Sequence, residues 1–170
     1  MNKRIEDVLN KQIKAEASSS HHYLAMASWA EVQGYSGVAK FLYRQSDEER
    51  QHMLKLVRFI NERGGEAIIP PLSSDAISFN SLQEVFEQLF EHEVEVTRSI
   101  NEVVFICLEE KDYTTHNFMQ WYVAEQLEEE ALARDILDKL KLIGNDKGGL
   151  YLFDRDLENF NTDSVANGGQ

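Results

Sequence analysis

The 170-residue sequence predicts an all-α fold: a four-helix bundle with a long crossover between the second and third helices, then a short fifth helix near the C-terminus. Three observations predict it. The only two prolines are adjacent, Pro70 and Pro71, so proline leaves both flanking halves free to form long helices. Each half contains two stretches of helical apolar periodicity separated by a short turn signal. Between the halves, Gly64 to Asn80 is too long for a tight helix-helix turn but long enough to cross a bundle from end to end.

The elements follow in order. Helix one runs from Ile5 to about Gln33 and helix two from Val38 to about Glu62, parted by Gly34-Tyr35-Ser36-Gly37. Ser81-Leu82-Gln83-Glu84 has the form of a capping box and opens helix three, which runs to about Glu110. Lys111-Asp112 makes a tight corner, and helix four covers Tyr113 to Ile143. The segment Gly144 to Gly149 ends that helix, Leu150 to Phe160 forms the short fifth helix, and Asn161 to Gln170 reads as a flexible tail. Residues 1–160 thus form one domain and 161–170 its tail.

Charge and cysteine content narrow the function classes. Seventeen Lys and Arg face 30 Asp and Glu, a formal charge of −13, which disfavours nucleic acid and anionic membranes and attracts cations. No window approaches the roughly 20 apolar residues of a membrane span, and the first residues lack an apolar signal core. The single cysteine, Cys107, cannot pair internally and lies on an apolar stripe as core filling, so the expected compartment is the cytoplasm.

A packed bundle helix repeats its core residues at alternating three- and four-residue steps. The four stripes are Ile5, Leu9, Gln12, Glu16, Ser19, Tyr23, Met26 and Ala30; Val38, Leu42, Gln45, Glu49, His52, Leu56 and Phe59; Leu82, Phe86, Leu89, Glu93, Val96, Ile100, Val103 and Cys107; and Thr115, Met119, Tyr122, Gln126, Glu129, Ala133, Ile136, Leu140 and Ile143. Each is polar at its centre and mostly apolar towards its ends. Glu16 lies 18 residues before Gly34, and Glu49 and His52 lie 15 and 18 after it, so the three meet at one height. Glu93 lies 18 residues before Lys111, and Gln126 and Glu129 lie 15 and 18 after it. The count does not align one hairpin with the other. A single interior Glu ordinarily pairs with Lys or Arg, and a core His is ordinarily a hydrogen-bonded packing residue. Here no basic residue occupies any stripe, and four buried carboxylates without cations repel until they protonate. Carboxylates with one imidazole suit Fe(II), Mn(II) or zinc, and a shared carboxylate such as Glu49 can bridge two ions.

With these residues placed, the chain resembles a bacterial non-haem ferritin from about Ile5 to Phe160. The resemblance rests most specifically on SDEERQHM (46–53), with its Glu-x-x-His, and on NFMQWYVAEQLEEEALARDILDKLKLIG (117–144), with Gln-Trp-Tyr and Glu-Gln-x-Glu-Glu. It implies one iron held by Glu16, Glu49 and His52 and a second by Glu49, Glu93 and Glu129. It also implies Gln126 beside the dioxygen site, Tyr23 next to it, Trp121 nearby, and a third, weaker iron position at Glu48, Glu125 and Glu128 with Glu129 shared. The bland alternative for Glu48, Glu125 and Glu128 is a solvated acidic face. The implied activity is ferroxidase: Fe(II) oxidised by dioxygen or hydrogen peroxide and stored as ferric mineral in a hollow shell of 24 subunits. Helix four carries Gln126-x-x-Glu129 rather than a second Glu-x-x-His, so the two irons are unequally held, unlike in bacterioferritin or rubrerythrin relatives. Arg50 stands where bacterioferritins place a haem-ligating methionine, and haem is not expected. The start of helix four, with His116, Asn117, Met119 and Gln120, lacks the acidic pairing of animal three-fold iron pores. His21 and His22 read as surface residues. A di-iron peroxidase or oxygenase on the same bundle, and a purely structural bundle, are the rival readings.

Overall fold

The computed structural model describes residues 1–71 and 78–158 of the chain. All its regular elements are helices: α1 Lys3–Val32, α2 Ser36–Glu62, α3 Leu82–Glu109, α4 Tyr113–Ile143 and α5 Lys147–Glu158. Helices α1 and α2 form one antiparallel hairpin and α3 and α4 the other, with α1 packed on α3 and α5 packed on α2 and α4. The predicted tail and the last residues of the predicted fifth helix lie outside the described residues.

Local chemistry sets the helix ends. The Asn2 side chain accepts the Arg4 backbone N–H at 2.9 Å, Ser81 accepts that of Glu84 at 3.1 Å, and Asp112 accepts that of Thr115 at 3.0 Å, each satisfying a donor that the first turn leaves free. The capping box differs from its usual form: the Glu84 carboxylate reaches back to the backbone N–H of Asn80 (2.8 Å) rather than to that of Ser81. Gly34 closes the α1–α2 corner at φ +86°, where a side chain would be strained, and Lys111 holds φ +55° at the α3–α4 corner. There Arg63, at the end of α2, grips Asp112 with both guanidinium arms, at 3.2 and 3.1 Å.

The two described ends of the crossover lie at opposite ends of the bundle. It leaves α2 beside the start of α1, where Asn10 accepts the Ile68 N–H (2.7 Å) and donates to the Glu66 carbonyl (3.0 Å). It returns at Phe79, which is buried at the far end against Trp29 and His22.

Nearly every stripe position is buried as the periodicity predicts. At the end of α2, Ile60 rather than Phe59 enters the core, because the true helical repeat drifts from the three-four alternation. Phe59 instead stacks on Phe118, ring centroids 3.7 Å apart. Ile143 is half-buried. The apolar residues form two separate clusters, one around Leu42, Phe86 and Ile136, the other around Leu9, Leu56 and Ile100. The polar centres of the four stripes lie between them.

Helix α5 starts at Lys147, earlier than predicted, so Gly148 and Gly149 belong to its first turn. Phe153 and Leu157 bury into the first cluster, Phe153 edge-on to Phe86 with centroids 5.8 Å apart. Asp154 accepts the Val38 N–H at 2.9 Å, placing a carboxylate at the positive end of α2, and Lys40 pairs with Glu158. This seat requires Gly37: a Cβ there would lie 1.8 Å from the carbonyl oxygen of Asp154.

Gly37→Ala is therefore expected to destabilise the chain by about 1–3 kcal/mol, as overpacked sites do, despite the better helix propensity of alanine. Urea unfolding of the two proteins measures the difference; a variant as stable as wild type would show that α5 is not seated on α2 in this way.

Candidate metal centre

Five side chains converge between the two apolar clusters. Glu16 comes from α1, Glu49 and His52 from α2, Glu93 from α3 and Glu129 from α4, and none is more than 8% exposed. Each occupies the middle of its helix, where the apolar stripe is interrupted. Glu16, Glu49 and His52 have ligand atoms within 4.8 Å of one another. His52 Nδ1 lies 3.4 Å from Glu49 Oε2 and 3.9 Å from Glu16 Oε2. The second hairpin meets the first at the same height, which residue counting left open. Tyr122 on α4 donates its hydroxyl to the His52 carbonyl (2.7 Å), and the Trp121 ring stands edge-on to the His52 imidazole, centroids 5.1 Å apart.

Two glutamines complete the polar layer. Gln12 Nε2 donates to Glu16 Oε1 at 2.8 Å; Gln126 Nε2 donates to Glu93 Oε2 at 2.6 Å and to the Glu93 carbonyl at 3.0 Å. Glu49 Oε2 is buried with no hydrogen-bond partner, as is the Tyr23 hydroxyl. Among the described residues, no Lys or Arg forms an ion pair with any of the four carboxylates.

The electrostatics follow from that isolation. Burial is the largest effect on all four carboxyls. It pushes Glu49 and Glu93 up to about 7, and it holds Glu16 and Glu129 well above the carboxylate range, reinforced by Glu49 and Glu93 respectively. Carboxylate oxygens facing one another with an imidazole, one oxygen left without a donor and no basic partner, fit a multivalent cation in chemistry and number.

The comparisons with known proteins agree with this geometry. Residues 6–143 match the family model of the ferritin-like domain. The chain belongs to the ferritin family. It is 46% identical over 162 residues to a probable bacterial non-heme ferritin-like protein of Haemophilus influenzae, covering 95% of this chain and 98% of that one. It is 42% identical to a bacterial non-heme ferritin of Campylobacter jejuni, covering 94% and 95%. Among solved structures, an open-pore ferritin of the archaeon Archaeoglobus fulgidus superposes with a TM-score of 0.92 at 41% identity, covering 95% of this chain and 98% of that one.

Around this ferritin centre the structure places the remaining sequence candidates as follows. Glu48 and Glu125, both half-buried, have ligand atoms within 4.8 Å of one from His52, forming a second acidic group on the rim of the centre; Gln45 donates to Glu48 at 2.9 Å. Glu128 is exposed and stands outside that group. Tyr23 is fully buried two stripe positions beyond Glu16, its ring edge-on to His92. His21 is exposed, whereas His22 is half-buried and stacks on His92, centroids 5.7 Å apart. Lys55 lies over the Trp121 ring, 3.2 Å from its centroid. His92, Ser99 and Lys55 lie off the stripes and were not legible as neighbours of the centre; only Gln12, on the α1 stripe one turn before Glu16, carried a signal.

A carboxyl with a pKa near 7 in the fold and 4.5 when free favours folding below about pH 4.5, and loses that advantage as pH rises through 7. In metal-stripped protein, Glu49→Gln is expected to gain stability over wild type as pH rises from 4.5 to 8, by on the order of 3 kcal/mol at the upper end. Urea unfolding across that range measures the gap; a gap independent of pH would contradict the burial of an ionisable Glu49.

Proposed function

We propose that this chain is the subunit of an iron-storing ferroxidase. Four buried carboxylates and one imidazole without a cation partner carry the conclusion. Glu16, Glu49 and His52 would take one ferrous ion and Glu49, Glu93 and Glu129 the second, with Glu49 between them. Gln126 and Tyr23 serve beside this pair. Glu48 and Glu125 form an outer position for a third iron, with Glu128 and Glu129 as further acidic partners.

The residues favour oxidation in two ways. Glu49 and Glu93 are part protonated near neutral pH, so an arriving cation displaces protons and then meets full carboxylate charge. Hard anionic oxygens stabilise Fe(III) over Fe(II). Each Fe(II) gives up one electron; dioxygen takes two electrons and two protons to become hydrogen peroxide, or peroxide takes the same to become two waters. The Fe(III) product hydrolyses to a ferric oxyhydroxide mineral inside a shell of 24 copies, whose net negative charge draws further cations. No helix of the described residues is long and apolar enough to cross a membrane, and a cytoplasmic store fits the lone buried thiol.

Two measurements test this. The assembled protein is expected to elute at the mass of 24 chains and to take up many irons per subunit. Glu49→Ala and His52→Ala are each expected to abolish the fast phase in which about two Fe(II) per subunit are oxidised; an unchanged fast phase in either would sink the assignment.

A further inference from the structure

Gln12 is fully buried, one turn before Glu16 on α1, and it is tied at both ends of its amide. Its Nε2 donates to Glu16 Oε1 at 2.8 Å, and its Oε1 accepts from the hydroxyl of Ser99 on α3 at 2.5 Å. With Glu16 ionised, as it must be to hold a cation, the order of these bonds is forced. An ionised carboxylate only accepts, so the amide must turn its NH2 towards Glu16. Its carbonyl then faces Ser99, whose hydroxyl is free to donate. The flipped amide would set its carbonyl oxygen against Glu16 Oε1, two acceptors face to face, so the orientation with Ser99 donating is the one that satisfies all three groups.

We propose that Gln12, locked by Ser99, is a positioning residue that makes Glu16 a single-oxygen ligand for the first metal of the centre. This rests on the di-iron reading above. The two oxygens of Glu16 are engaged differently: Oε1 is taken by Gln12, while Oε2 is the atom facing His52 Nδ1 at 3.9 Å. Glu93 is treated alike across the site, with Oε2 bonded to Gln126. Glu49, the carboxylate placed to bridge, has no such donor on Oε2. An amide therefore restrains each of these two terminal carboxylates and leaves Oε2 of the bridging one without a donor. Because the amide is neutral, it orients Glu16 without competing for the cation's place.

The test uses the full-length assembled protein and Co(II), which dioxygen does not oxidise under the conditions of the titration. Cobalt is added anaerobically while its visible d–d absorbance is followed, and KM and kcat for Fe(II) are measured in parallel. Outer ligands of this kind typically change metal affinity about 10- to 100-fold, so Gln12→Leu is expected to weaken the first Co(II) equivalent by about that factor and to raise KM more than it lowers kcat. Ser99→Ala is expected to weaken it less, and Ser99→Thr, which keeps the hydroxyl, to restore it. A Gln12→Leu titration superimposing on wild type overturns the proposal, as does equal binding by Ser99→Ala and Ser99→Thr. If wild type itself shows no Co(II) binding that Glu49→Ala removes, the di-iron reading falls instead.

Discussion

Everything in this bundle is arranged around a layer of buried negative charge. Four carboxylates sit at mid-height, almost without solvent, and none pairs with a lysine or arginine among the described residues. Left alone, such a layer either takes up protons, as the raised Glu49 and Glu93 indicate, or pushes the helices apart. The chain resists the second outcome with two apolar clusters, one above the layer and one below, each drawing on all four long helices. A site in the middle of long helices is also far from fraying ends, so its side chains are held by packing on both sides.

The peripheral elements serve that same alignment. Neither short corner fixes the height of one hairpin against the other; the packing of α1 on α3 joins them, and the described ends of the crossover are pinned to Asn10 near the start of α1 and, through Phe79, to the opposite cluster. At that opposite end α5 adds Phe153 and Leu157 to the core and supplies Asp154 as an external cap for α2. The helix carrying two of the five central side chains is thus anchored at its beginning by α5 and at its end by the Arg63–Asp112 pair.

Helix periodicity alone makes most of this arrangement legible in the amino-acid sequence. Burial of Glu16, Glu49, His52, Glu93 and Glu129 follows from stripes in which their apolar neighbours recur three or four residues away. What periodicity does not carry is contact between side chains on different helices. Ser99 is one position off the α3 stripe, and nothing in its sequence neighbourhood indicates that it meets Gln12, 87 residues away. His92 and Lys55 are hidden for the same reason: a residue flanking a stripe looks like a surface residue until the neighbouring helix is in place. The early start of α5 escapes because glycines at 148 and 149 read as a helix stop, whereas Asp146 caps that turn by accepting the Gly149 N–H at 2.6 Å.

The choice of glutamine rather than lysine around the centre explains how the layer stays ready for a cation. A buried ammonium beside Glu16 or Glu93 would neutralise it in a strong, charge-assisted pair, and an incoming metal would then have to displace a resident cation. An amide satisfies one oxygen and supplies no cation, so the carboxyl gives up only a proton when a metal arrives. With the ligands assigned as proposed, the first ion meets Glu16, a share of Glu49 and the neutral His52, while the second meets Glu93, Glu129 and the other share of Glu49. On that assignment the second position would carry more anionic charge and would favour the ferric product more strongly. His52, which would be the one neutral ligand, is also the residue whose backbone carbonyl and ring are braced by Tyr122 and Trp121, so a weaker electrostatic hold at the first position would be offset by a braced side chain.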